Sequence, residues 1–420
     1  MTVYLDHAAT SPMPPEVRAA YVDALAVVGN PSSIHSAGQH ARAVLDDARA
    51  RIAATLGVDA VELTLTGGGT EAVNTAVKGL FWRRQRDAAA AGGPDAASSA
   101  AVAAGAQPRR PVILLTAAEH HATLDAVDWL VANAGARAVT VPVDTAGRMR
   151  VDALDDTLAS HGDTVALVTM LAANNEVGTL QPVAAAAELA AAHGVPLHVD
   201  AIAAYGQIDL APLPGGVSAL SISAHKVGGP VGVGALVIRR GVDVEALLHG
   251  GGQQRGRAGT MDAAGAVAFA VAAEHAHAAL ESRAAHKREL RDRLAAGIRS
   301  RVPEAVLSGA LAGDGTLDEA LPGTVHLRVP GAEGDSLLFL LDQAGFAVST
   351  GSACQAGVPE PSHVLLAMGV SESDARGALR ITLGPETTAA DIDGLLAALP
   401  AAVERALAAG LAARTPRLGR

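Results

Sequence analysis

Hydrophobic and polar positions change period several times along the chain. In "SAGQHARAVLDDARARIAATL", residues 36–56, apolar side chains recur three and four apart, and Val44, Ala48, Ile52 and Leu56 share one face. That spacing predicts an amphipathic helix, with Gly57 as its stop. Short apolar runs follow at 112–116 (VILLT), 165–170 (VALVTM), 195–201 (VPLHVDA) and 233–239 (VGALVIR). They are too short and too uniformly apolar for surface helices, and they read as buried strands. Helical stretches at 123–135 and 183–194 lie between them. Such alternation predicts an α/β fold around a mostly parallel sheet covered on both faces.

After about residue 262 the texture changes. A charged helix is expected at 281–302, then shorter elements, then an Ala/Leu-rich helix over roughly 389–413. The expected division is a large domain at 15–261 and a small domain built from 1–14 and 262–420. The low-complexity run 87–108, "DAAAAGGPDAASSAAVAAGAQP", reads as a surface insertion.

Composition narrows the function classes. A chain of 420 residues exceeds one simple core, which agrees with two domains. Net charge is −11, aromatic residues make up 2%, and no basic run precedes the Arg-rich tail, so direct nucleic-acid binding is not expected. The apolar run at 263–273 is too short to span a bilayer, and the first residues lack a charged and apolar leader, so no membrane role is expected. One cysteine cannot form an internal disulfide, and a reducing cytoplasm is the expected setting.

In a parallel sheet, ligands bind beyond the carboxyl ends of the strands. Three such ends carry candidate chemistry. "TLTGGGTEAVN" (64–74) places three glycines before a helix, either a phosphate cradle or a plain turn. Asp200 closes "LHVDA", as a ligand-binding acid or a helix cap. Lys226 sits in "SISAHKVGGP", as a desolvated Schiff-base lysine or a surface lysine. Together they are what pyridoxal phosphate needs: a phosphate site, an acid for the ring nitrogen and an amine for the aldehyde.

The chain resembles the cysteine desulfurases of the NifS/IscS group, in the class V aminotransferase superfamily. Ten segments carry the resemblance in the family's order: YLDHAATSPMPPEV, GNPSSIHSAG, TGGGTEAVNTAVKG, EHHATLDAVDWL, NNEVGTLQPV, HVDA, SAHKVGGPVGVGAL, GGGQQRG, GSACQAG and ALRITLG. It implies a fold-type I pyridoxal-phosphate transferase, a homodimer, that converts L-cysteine to alanine and an enzyme persulfide. It further implies that Lys226 bonds the cofactor and moves the Cα proton, Asp200 pairs with the ring nitrogen, and His120 stacks on the ring and assists proton transfer. Gly69, Thr70, Ser223 and His225 would hold the phosphate, with Thr260 reaching in from a second subunit. Asn175 would contact the ring side and Arg380 the substrate carboxylate. Cys354 would be the nucleophile that takes the sulfur, and a transient iron–sulfur ligand at most. Iron–sulfur scaffold proteins or tRNA-thiolation enzymes would accept the sulfur.

Two departures stand out. The family's glutamine two residues after "HVDA", which would bond the cofactor's ring hydroxyl, is Ala203 here, and Gln207 lies four residues on. The family's "RGxRSGT" is "RGRAGT" at 255–260, one residue short, with alanine for its serine. A selenocysteine lyase would share the lysine, aspartate and arginine without requiring Cys354. A partner-binding scaffold would lack the cofactor altogether.

Overall fold

The computed structural model describes residues 2–90, 108–312, 319–351 and 360–414. Its centre is a seven-stranded sheet of β2 (Leu63–Thr66), β3 (Val112–Leu115), β4 (Arg137–Thr140), β5 (Val165–Leu171), β6 (Leu197–Asp200), β7 (Val217–Ser223) and β8 (Gly234–Ile238). The order is β2-β8-β7-β6-β5-β3-β4. Only β8 runs against its neighbours, so the other six strands point the same way. Every side chain of β3, β5, β6 and β8 is buried, as a sheet covered on both faces requires. Within the central strands one polar ladder is satisfied in full: His198 bonds Thr169 through Nδ1 and Ser221 through Nε2, each at 2.9 Å.

The helix expected at 36–56 forms as α2 (Ser36–Ala54), after α1 (Pro15–Ala24). Its buried stripe is Ala41, Leu45, Ala48 and Ile52 rather than one beginning at Val44, because Leu45 and not Val44 turns inward. Next, α3 (Gly69–Ala90) runs into the segment expected as an insertion, whose remainder to 107 lies outside the described residues. Later helices of this lobe are α4 (His121–Ala134), α5 (Val151–His161), α6 (Val183–Ala192) and α7 (Ala263–Ala278). A change of domain at 262 was expected, yet α7 buries Ala266, Phe269, Ala270 and Ala273 in the core of the large sheet. The second core begins after the 68° bend between α7 and α8 (Leu280–Arg301).

That second core packs α8 and α12 (Ala389–Arg414) on a three-stranded antiparallel sheet, β12 (Ala378–Thr382), β10 (Thr324–Arg328) and β9 (Val306–Leu307), in that order. The N-terminal strand β1 (Val3–Tyr4) joins it by pairing with β11 (Phe346–Ala347), and Leu5 is fully buried there. The start of the chain is therefore stitched to its last third. Helices α9 (Gly334–Gln343), α10 (His363–Ala367) and α11 (Glu372–Ala375) complete the described elements. No single helix among them is long and apolar enough to cross a membrane.

Candidate active site

Five parallel strands end on one edge of the large sheet, and each delivers a predicted residue there. Gly69 follows β2, His120 follows β3, Asn175 follows β5, Asp200 closes β6, and Lys226 follows β7 in a single 3-10 turn, Ala224–Lys226. Arg380 comes from the small lobe, from β12, whose backbone pairs with Ser349 on one side and whose register sets it opposite His326 on the other.

The glycine turn is a cradle. Gly68 has φ +128°, a conformation that favours glycine. Gly69 is buried, and a Cβ there would meet Ile202 Cδ1 at 2.3 Å and Ser223 Cβ at 3.2 Å. Ala72 is an amide engaged by the helix, through Gly68 O, and the amides just ahead are those an α-helix leaves without internal acceptors. Thr70 is exposed at this end. Ser223 Oγ, beside it, is buried with no partner among the described residues. His225 borders the site through Nδ1, 3.3 Å from Thr10 Oγ1.

Charge is arranged around Lys226. Its half-buried Nζ donates to Ala8 O at 2.5 Å and Ala9 O at 3.0 Å. Burial and the Arg380 guanidinium lower the amine to about 8, against the opposing pull of Asp200 and Asp6. Asp200, 2% exposed, accepts from the Ile202 amide at 3.0 Å, and burial pushes its carboxyl up to about 6. Arg380, 5% exposed, donates to Asn175 O at 3.0 Å and to Asp6 Oδ1 at 2.8 Å. Its Nε and the Oδ1 of Asn175 are buried without partners among the described residues.

His120 caps α4, its Nδ1 accepting from the Ala122 amide at 3.0 Å. That bond leaves the ring proton on Nε2. Loss of hydration and the neighbouring Lys226 lower the imidazole to about 4, so it is neutral at physiological pH.

The shortened loop at 255–260 is tied to the large sheet. Gln254 bonds both the amide and the carbonyl of Leu65, at 2.8 and 3.0 Å, and Thr64 Oγ1 donates to Arg255 O at 2.9 Å. Arg257 pairs with Glu71 at 3.0 Å, which also holds the Gly67 amide. Thr260 is exposed and makes no hydrogen bond to the glycine cradle among the described residues. Cys354 lies outside the described residues.

Sequence reasoning missed three contributors. Asp6 supplies the counter-ion of Arg380, and the Ala8 and Ala9 carbonyls hold the lysine amine. Both sit in the segment "YLDHAATSP", which was recognised without a role. Glu119, 1% exposed, accepts from Thr116 Oγ1 at 2.7 Å, and burial raises its carboxyl to about 8.

The residues fit pyridoxal phosphate. An unpartnered buried hydroxyl lies at a glycine-lined helix start, which suits a phosphate. An acid and an amine of opposite charge stand within electrostatic reach of one another, which suits a pyridinium ring and its aldehyde. Among the described residues no group of three or more His, Cys, Asp or Glu side chains is arranged for a metal ion.

Comparison with known proteins agrees with this geometry. The model of the family "Aminotransferase class-V" matches residues 3–104 and 90–395. An IscS-like cysteine desulfurase of Mycobacterium tuberculosis is 46% identical over 411 residues, covering 98% of each chain. A solved NifS-like protein superposes with a TM-score of 0.82 at 31% identity, covering 96% of this chain and all of that one. A structure described as SspA in complex with cysteine gives 0.72 at 28% identity, covering 92% and 100%. This chain belongs to the class V aminotransferase family and, within it, to the pyridoxal-phosphate-dependent cysteine desulfurases of the IscS/NifS type.

Proposed function

We propose that the protein transfers the sulfur of L-cysteine to Cys354, so that the free thiol becomes a persulfide and the rest of the substrate leaves as L-alanine. The observation that carries this reading is the convergence of Asp200 and Lys226, at two strand ends of the large sheet, with Arg380, from within β12 of the small lobe. Bound pyridoxal phosphate supplies the electron sink for charge developing at the substrate Cα.

This chain's own residues do the rest. Gly69, Thr70, Ser223 and His225 hold the phosphate, with Thr260 of a second subunit. Asp200 keeps the ring nitrogen protonated, and an acid near pKa 6 is ionised at neutral pH. Neutral His120 would stack on the cofactor ring, and with Nδ1 engaged by the Ala122 amide it presents Nε2–H for proton transfer. Asn175 contacts the ring side. Lys226, once released from the Ala8 and Ala9 carbonyls, carries the Cα proton, and an amine near 8 exchanges protons readily at physiological pH. Arg380 grips the substrate carboxylate with the fork that Asp6 holds in its absence.

A homodimer is supported by the exposed Thr260 and by large apolar side chains turned to solvent, Ile34 at 92% and Val28 at 80%. Iron–sulfur scaffold proteins or tRNA-thiolation enzymes are the proposed acceptors of the persulfide sulfur, with any iron–sulfur contact at Cys354 a passing of cargo. A single thiol that must stay reduced suits the cytoplasm. The test is mass spectrometry of protein treated with L-cysteine without reductant. Cys354 should gain one sulfur atom, and Cys354→Ala should retain the cofactor and lose both the adduct and turnover. Full turnover by Cys354→Ala would overturn the assignment.

A further inference from the structure

Lys287, on α8, is 3% exposed, and its amine reaches Gln207 rather than solvent. Its amine donates to the neutral Gln207 Oε1, and no carboxylate among the described residues pairs with it. The charges around it have its own sign: Arg283 and Arg288 on its own helix disfavour its charged form, and it in turn disfavours charge on His7 of the N-terminal segment. Space has been kept for it, since a Cβ on Gly323 would lie 3.1 Å from Lys287 Cδ. An ammonium removed from water and offset by a single amide is costly to keep, unless it serves something beyond packing.

Beside this pair is a cavity lined by His7, Ala203, Gln207, Lys226, Gly323 and Thr382. The Lys287 bond occupies Gln207 Oε1 and so fixes which way the amide points. Gln207 Nε2, with two N–H groups, has no acceptor among the described residues, and Gln207 lines the cavity. In pyridoxal phosphate the carbon that bonds the lysine has an ionisable ring oxygen as its neighbour. Of the side chains on this wall, Ala203 has no donor to offer that oxygen.

We propose that Lys287 is a positioning residue that orients the Gln207 amide to donate to the cofactor's ring oxygen, in place of a donor at Ala203. The inference rests on the cofactor reading above. A donor on the ionised ring oxygen competes with the proton shared between that oxygen and the lysine-bound nitrogen. It therefore lowers the pH at which the bound cofactor changes colour.

The test is a spectrophotometric pH titration of the holoenzyme without substrate. Gln207→Leu and Lys287→Met should each raise the midpoint, by up to about one pH unit for one lost hydrogen bond. Because the two act on one bond, the double variant should shift less than the two shifts added. Gln207→Glu guards against misfolding, since its carboxylate pairs with Lys287 while removing the donor, and it should raise the midpoint at least as far. Unchanged midpoints in variants that still carry the chromophore would overturn the inference and leave Lys287 a packing residue. Lack of any chromophore in the unsubstituted protein would overturn the cofactor reading itself, and this inference with it.

Discussion

Replacing Asp200 with asparagine should make the cofactor-free protein more stable while weakening its hold on the cofactor. The carboxylate is buried, and its pKa rises from an ordinary 3.8 to about 6. A folded-state value above the unfolded one means that ionisation costs the fold. The cost is absent below the unfolded pKa, grows between the two values, and is complete above the folded one. Two units correspond to roughly 3 kcal/mol. Asparagine keeps the shape and the acceptor for the Ile202 amide but carries no charge. Urea unfolding of the cofactor-free proteins, followed by circular dichroism, should therefore show Asp200→Asn ahead by up to about 3 kcal/mol at about pH 8, with the gap closing towards about pH 4. With pyridoxal phosphate bound the order should reverse, because asparagine cannot pair with a protonated ring nitrogen. A variant no more stable than the parent at the higher pH would refute the reasoning, as would a gap independent of pH.

Three further substitutions probe separate parts of the account. Arg380→Lys keeps a charge but loses the planar fork, so kcat/KM for L-cysteine should fall about ten- to hundredfold, mostly through KM, as expected for about 1.5–3 kcal/mol of charge-assisted bonding; a change in kcat alone in steady-state assays would contradict the substrate-carboxylate role. Ser223→Ala removes a buried hydroxyl that has no partner among the described residues, so the cofactor-free fold should be unharmed while equilibrium dialysis shows pyridoxal phosphate held about tenfold more weakly. Tyr205→Phe breaks the buried 2.6 Å bond to Thr55, whose own donation to Ile52 O survives, so urea midpoints should report a loss of about 1 kcal/mol with activity unchanged.

Four strands of the large sheet, β3, β5, β6 and β8, were legible as short apolar runs, whereas β4 (RAVT) is largely exposed and β7 (VSALSIS) is broken by serines, so neither stood out. Lys226 and Asp200 were legible for a related reason: polar residues closing such runs stand out. What stayed hidden were pairings between distant parts of the chain. Asp6 meets Arg380 across 374 positions, and Lys287 meets Gln207 across 80, and no local period records either contact. The place of α7 was misread because its sequence is mostly alanine and valine, which fits either core; only packing against α1 and α2 assigns it to the large sheet. On α2 the stripe was read one residue early because Val44 and Leu45 are both apolar, and periodicity alone does not choose between neighbours. The departure at Ala203 looked like a missing donor in sequence, whereas the fold sets Gln207 on the same cavity wall.

The central claim is that this cleft binds pyridoxal phosphate and uses it on L-cysteine. The most direct measurement is the visible absorbance of purified protein, followed by addition of L-cysteine with a reductant and assay of both products. The account predicts a cofactor band and equimolar sulfide and alanine. No band, even after pyridoxal phosphate is added, would contradict it and leave a desulfurase fold without desulfurase chemistry.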